Sequence, residues 1–295
     1  MPPDEVLGPE APLNFSEPEA TLMLRRTLRR FVAQEMPRER AQQWDRDNVF
    51  PRDVFRKLAQ LGVMGLTVPE EYGGAGRDIV GCMVTIEELA RRSCAIATPY
   101  IMAACYAGMN ILECGTAAQR HAFLPRVAAG ELLFAYGFTE PDVGADLASV
   151  TTFGERHGDR VVINGAKRFC SGAHIADYIY ALVRTSRELP RYRNLSLVLI
   201  APDARGVTIE HVHALGMKGA STTDVTFDDV EIPFDNVIGG EARWNNAWEL
   251  LVGPGLDTEK LEVAALALGI AEAAVADAWD YSQQRQQAQP DCDPI

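Results

Sequence analysis

The chain has 295 residues, with 41 acidic against 28 basic side chains and a formal net charge of −13. That balance argues against nucleic acid or an anionic membrane surface as the main partner. The length suits two or three domains, and a hydrophobic fraction of 47% supplies sizeable cores.

Residues 1–14 are acidic and proline-rich, without an apolar core, and are predicted to form a flexible leader rather than a signal segment. Ser16, Pro18 and Glu19 have the form of a capping box with proline in the first turn. Leu24, Leu28, Phe31 and Val32 follow at helical spacing. Arg25, Arg26, Arg29 and Arg30 read as a solvated face of that helix. A second helix is predicted over 51–61, opened by Pro51 and stopped by Gly62. The glycine-rich stretch Val68-Pro69-Glu70-Glu71-Tyr72-Gly73-Gly74 lacks both the P-loop ending and the dinucleotide fingerprint, so it is read as structural. Further helices are predicted over 80–92, 96–114 and from Gly115 to near Gly130. Residues 15–133 therefore read as an all-helical domain.

The pattern changes at Leu132. Residues 134–138, 160–164, 178–183, 195–200, 207–211 and 225–232 read as strands, with a hairpin turn at His157-Gly158-Asp159. Their short spacing predicts an antiparallel barrel or sandwich over 134–239, giving an α+β fold. The run 178–183 is apolar throughout, as in a strand buried on both faces. Residues 240–295 return to helix: a short one over 244–252, a break at Gly253-Pro254-Gly255, then a long one over 257–287. The greasiest tract, 261–278, contains Glu262, Glu272 and Asp277 and is too charged to span a bilayer. The six cysteines (82, 94, 105, 114, 170 and 292) form no CxxC pair and no zinc spacing with histidine. They read as reduced thiols in a cytoplasmic compartment, and no metal is expected.

Two tracts carry the functional signal. The first, Tyr136-Gly137-Phe138-Thr139-Glu140-Pro141-Asp142-Val143-Gly144-Ala145-Asp146, is a strand running into a tight turn whose amides can face an anion. The second, Lys167-Arg168-Phe169-Cys170-Ser171-Gly172, ends a strand with a flat ring and a hydroxyl. Together with the stretch 215–239 they resemble the flavin-binding middle domain of the acyl-CoA dehydrogenase family. The resemblance covers about residues 15–287 and includes the PEEYGG loop.

That resemblance implies FAD as cofactor, an acyl-CoA thioester as substrate and an electron-transfer flavoprotein as electron acceptor. It implies flavin contacts from Tyr136, Phe138, Thr139, Gly144, Ala145, Phe169, Cys170 and Ser171. A serine is common where Ala145 stands and helps hold phosphate of ligand or cofactor, so that contact is expected to be lost. Phe169 stands where many relatives carry tryptophan. Glu259, in Leu256-Asp257-Thr258-Glu259-Lys260, falls on the catalytic glutamate of the isovaleryl and long-chain branches. Asp257 and Lys260 fall on substrate-binding positions, with lysine replacing the usual arginine. By spacing alone, Glu259 is equally an ordinary first-turn glutamate at a helix N-terminus. Glu140 is read as a structural hydrogen-bonding residue.

The family continues beyond the long helix into a bundle, so relative to it the chain reads as C-terminally truncated, with an incomplete third domain. This predicts a homo-oligomer, or a hetero-oligomer with another family member. Two functions stay open: an acyl-CoA dehydrogenase acting in fatty acid oxidation, and a catalytically inactive or partner-completed subunit of a heteromeric enzyme. The same motifs also serve reductases running the reaction backwards and flavin monooxygenases.

Overall fold

The computed structural model describes residues 16–252 and 254–286, and of 254–257 the backbone alone. The predicted leader and the last residues of the chain lie outside the described residues.

Helix α1 (Glu19–Glu35) buries Leu28, Phe31 and Val32. Its N-cap is Pro18, with no side-chain cap bond, so the predicted capping box is not formed. A helix not read from the sequence, α2 (Arg38–Asp47), follows and buries Ala41 and Trp44. It is polar on most of its surface, so its apolar signal is faint. Helix α3 (Arg52–Ala59) and α4 (Ile79–Ala90) lead into a continuous helical run. That run comprises α5 (Cys94–Tyr100), a π-helical segment (Ile101–Ala107) and α6 (Gly108–Cys114). Among the described residues, Cys94–Cys114, and not the tract 261–278, is by length and composition the helix apolar enough to cross a membrane; here it is mostly buried inside the protein. Helix α7 (Ala117–Ala128) opens with a reciprocal capping box between Thr116 and Gln119.

The arginines of α1 are not all solvated. Arg25 is largely buried and pairs with Glu17 at 2.5 Å, with Glu88 at 2.7 Å and with Glu87. Arg29 reaches Glu88 at 3.0 Å. Glu87 and Glu88 lie on α4, which is enclosed on most sides, and their charges need partners. The two acids stand some sixty positions along the chain, where no local pattern reveals them.

The strands are β1 (Phe134–Gly137), β2 (Phe153–His157), β3 (Arg160–Lys167), β4 (Tyr178–Arg184), β5 (Leu195–Ile200), β6 (Val207–His211) and β7 (Thr223–Pro233). They form one seven-stranded sheet in the order β1-β4-β2-β3-β7-β6, with β5 on the other edge of β4. The sheet is mixed rather than wholly antiparallel. β1 runs parallel to β4, with Phe134 opposite Tyr178, and β2 meets β4 in parallel at Phe153 and Arg184. The other pairings are antiparallel. The β2–β3 hairpin turns at Gly158 as the sequence predicts.

Strand β4 is buried on both faces. Tyr180 and Leu182 join the helical core, while Ile179, Ala181 and Val183 join a second core with β3 and β7. The sheet thus curls, with one face against the helices and the other folded over itself. After α8 (Trp248–Leu251), the long helix α9 (Pro254–Gln284) returns to the N-terminal helices and packs along α4. Gly269 permits this approach: a Cβ there would stand 2.3 Å from the Glu87 carbonyl oxygen. Thr258, Glu262 and Ala265 face inward from α9, whereas Leu261, Leu268, Ile270 and Trp279 are exposed.

Candidate active site

The turn after β1 is built around one carboxylate. Glu140 is buried, and its Oε2 accepts from the Thr151 amide and hydroxyl, both at 2.7 Å. Its Oε1 accepts from the Thr152 amide at 2.9 Å and from Lys167 Nζ at 2.8 Å. Lys167 Nζ also reaches the Phe138 carbonyl at 3.3 Å. Burial alone would raise the Glu140 carboxyl, but the Lys167 ammonium and the Thr151 and Thr152 donors outweigh it and hold it at about 2. Burial pulls the Lys167 ammonium down, opposed by Glu140. Glu140 is therefore structural, as the sequence reading has it. Its partner Lys167, on β3, was missed. The ion pair ties the first signature tract to the second.

Beyond this turn the π-helical segment, α6, β1 and the start of α9 enclose a small cavity. Tyr106, Asn110, Tyr136, Phe138, Leu250 and Glu259 are among its walls. Aromatic side chains dominate: the Tyr136 ring lies 4.7 Å from Tyr106, 4.6 Å from Phe138 and 5.1 Å from Tyr180, centroid to centroid. Asn110 donates to the Tyr136 hydroxyl at 3.0 Å. Burial raises the Tyr106 phenol, and the nearby Glu259 and Glu262 carboxyl groups raise it further, so the phenol keeps its proton. Glu259 is half-buried on this wall. The sequence-predicted base and the predicted flavin-side residues Tyr136 and Phe138 therefore share one cavity. Tyr106 and Asn110 were not read as site residues; they lie in an apolar helix with no motif of their own.

The second tract lies at the strand end after β3. Phe169 has a left-handed φ of 59° and a ring 54% exposed, with Arg168 stacked over it at 5.1 Å. A bulky residue in that conformation stores strain of about 1–3 kcal/mol and is found most at functional sites. Ser171 is half-buried, and its hydroxyl makes one long contact, 3.4 Å to Thr222 Oγ1. It lines a separate narrow crevice beside Met102. Cys170 offers nothing to a ligand. Its side chain is fully buried, its amide donates to the Thr223 carbonyl at 2.7 Å, and its own carbonyl accepts from the Thr223 hydroxyl at 2.6 Å. Burial pushes its thiol up to about 12. Cys170 anchors the strand end through these bonds to Thr223.

Gly144 and Ala145 sit on the exposed turn, with open space where a Cβ of Gly144 would stand. The available Ser171 hydroxyl, the projecting Phe169 ring and this open glycine turn are the kinds of group a planar, phosphate-bearing cofactor requires. Thr139 is half-buried, and its carbonyl accepts from the Arg168 amide at 2.8 Å. Lys260 is exposed one position beyond Glu259. The Asp257 side chain lies outside the described residues. Among the described residues no group of three or more His, Cys, Asp or Glu side chains is placed to hold a metal ion.

Residues 18–131 match the family described as acyl-CoA dehydrogenase, N-terminal domain, and residues 135–230 match its middle domain. The chain is 31% identical over 267 residues to an acyl-CoA dehydrogenase of Bacillus subtilis, covering 90% of this chain and 69% of that protein. It is 32% identical over 280 residues to a short-chain-specific acyl-CoA dehydrogenase of Clostridium acetobutylicum, covering 93% and 71% respectively. Among solved structures, a glutaryl-coenzyme A dehydrogenase in complex with glutaryl-CoA superposes with a TM-score of 0.86 at 30% identity. The match covers 94% of this chain and 69% of that one.

Proposed function

The chain belongs to the acyl-CoA dehydrogenase family, FAD-dependent oxidoreductases acting on CH–CH groups, and from that premise we propose that it dehydrogenates an acyl-CoA thioester between its α and β carbons, with Glu259 as base. The carrying observation is the placement of Glu259 on the wall of an aromatic cavity shared with Tyr136 and Phe138. A carboxylate held on the wall of such a cavity is the group that abstraction of an α proton requires.

Tyr106 lines the same cavity beside Glu259. The Tyr136 and Phe138 rings give the acyl group an apolar wall. The Glu140–Lys167 pair holds the turn that presents Phe138 and Thr139 to the cofactor. Ser171 is free to donate from its hydroxyl to the cofactor ring, and Phe169 provides a ring face beside it. FAD, when bound, supplies the acceptor for the β hydride. In this reading the electrons then pass to an electron-transfer flavoprotein, the enzyme works in the cytoplasm in acyl-CoA breakdown, and Asp257 and Lys260 meet the CoA portion.

The test is anaerobic addition of an acyl-CoA panel to the FAD-loaded protein, read by visible absorbance. Bleaching is expected with at least one acyl-CoA, and Glu259→Gln should retain flavin but not bleach. Equal bleaching by the variant would remove Glu259 as base.

A second reading rests on α9, which leaves Leu261, Val263, Leu268, Ile270, Val275, Trp279 and Tyr281 exposed. Such a face favours work within an assembly, with another copy or another family member. If the purified chain stays colourless with added FAD and takes up flavin only with a co-expressed relative, this reading prevails.

A further inference from the structure

The loop between β4 and β5, residues 185–194, is basic on an acidic protein. Arg187, Arg191 and Arg193 are all exposed on it, with Glu188 as its one acid, whereas the whole chain carries a net charge of −13. Cations gathered this closely repel one another, and an anion arriving among them relieves that repulsion. The Arg187 guanidinium lies over the Phe153 ring at 4.6 Å. Arg191 lies over the Tyr192 ring at 5.0 Å and donates from Nη2 to Asp146. A guanidinium has five N–H donors in a planar fork, so this bond leaves others for a second anion.

Asp146 belongs to the turn after β1, and that turn supplies the other half of a site. Gly144 and Ala145 are exposed, and among the described residues nothing accepts from their amides. Ala145 brings no side-chain donor, and open space lies where a Cβ of Gly144 would stand. Exposed consecutive amides beside a guanidinium suit an anion with several oxygens. The loop also leads back to the cavity of Glu259. Tyr192, with a left-handed φ of 74°, sets its ring 4.6 Å from Trp248. Trp248 opens α8, and Leu250 and Leu251 of the same helix are walls of that cavity. Trp248 is half-buried, Tyr192 is exposed and the Arg191 side chain is 51% exposed, so this line runs along the surface.

We propose that Arg191, with the amides of Gly144 and Ala145, binds a phosphate group of the CoA portion of the substrate. The proposal rests on the dehydrogenase reading for the identity of the ligand. A thioester placed at Glu259 sends its polar arm out past Leu251 and Trp248 to the guanidinium. Arg191 then contributes affinity for the nucleotide end of the substrate and takes no part in the chemistry. Arg187 and Arg193 add to the positive field around it.

The experiment measures the calorimetric Kd of butyryl-CoA and of S-butyrylpantetheine, which has the same arm and no phosphate. The FAD-loaded full chain is compared with Arg191→Gln, Arg191→Lys and Arg160→Gln. Arg160, at the β2–β3 hairpin and paired with Glu231, controls for net charge. Arg191→Gln should weaken butyryl-CoA by at least about tenfold and leave S-butyrylpantetheine within about twofold of wild type. Arg191→Lys keeps the charge and loses the fork, so it should fall between wild type and Arg191→Gln. Arg160→Gln should match wild type, and bound flavin, read by visible absorbance, should be the same in all four proteins. An unchanged butyryl-CoA Kd in Arg191→Gln overturns the proposal, as does an equal loss for both thioesters or in Arg160→Gln. Loss of flavin in place of thioester, or no measurable binding of butyryl-CoA by wild type, also overturns it. If butyryl-CoA binds but no acyl-CoA bleaches the flavin, the dehydrogenase reading fails, and the ratio of the two Kd values still decides the role of Arg191.

Discussion

Glu140→Gln is the most informative single change for the architecture of the site. It removes the charge opposite Lys167, whose side chain has no exposed surface and which pairs with Glu140 at 2.8 Å. It also places an amide where Thr151 and Thr152 both donate. Leaving a buried charge unpaired costs about 3–5 kcal/mol, a large part of a total stability of about 5–15 kcal/mol. Lys167→Met alone should cost a similar amount, because Glu140 is then buried without its cation. The double variant should lose far less than the sum of the two, since neither charge remains. Urea denaturation followed by far-UV circular dichroism measures all four corners of the cycle. Additive losses, or a loss below about 1 kcal/mol for Glu140→Gln, would refute the reasoning. The same pair sets an acid limit. The Glu140 carboxyl lies at about 2 in the fold against an ordinary 4.5, so its contribution is fully present above about pH 4.5 and disappears as the pH falls towards 2. That interval corresponds to about 3 kcal/mol.

The sign is opposite for Glu262. Its carboxyl is raised by burial to about 8 in the fold against an ordinary 4.5, so stability is unaffected below about pH 4.5 and falls as the pH rises through 8. Glu262→Leu should therefore gain on wild type in thermal melts as the pH climbs, by about 5 kcal/mol at the alkaline end, and a pH-independent difference would count against a buried acid. Gly269→Val puts a side chain against the α4 backbone at a contact that already lacks room for a Cβ. It should destabilise by about 1–3 kcal/mol as α9 is forced away, and a melting temperature equal to wild type would show that the two helices do not approach as described.

Much of the fold was legible because its signals are local. The apolar run of β4 announced a strand buried on both faces, and Tyr180 and Ala181 occupy opposite cores as that requires. The turn at Gly158 and the break at Gly62 were read from single residues with left-handed backbones. What escaped was relational. β1 and β4 pair in parallel across about forty residues, and nothing in either strand's own pattern marks the direction of its partner. Arg25 looked solvated because Glu87 and Glu88 are distant in sequence. Lys167 was quoted in a motif, yet its role appears only when Glu140 is seen 2.8 Å away.

The two acids of α9 show where such a limit falls in the candidate site. Glu259 was singled out because the residues around it resemble a family motif, even though its position alone suits any first-turn glutamate. Glu262 sits three residues on, in a tract that the sequence presents as merely too charged for a membrane. Nothing local distinguishes a glutamate pointing at solvent from one pointing at the thiols of Cys82 and Cys105, and Leu261 and Val263 on either side of it are more than half exposed. The helix therefore turns apolar residues outward and a carboxyl inward at this one place, the reverse of what burial energies favour. Such an inversion is costly to the fold wherever it occurs.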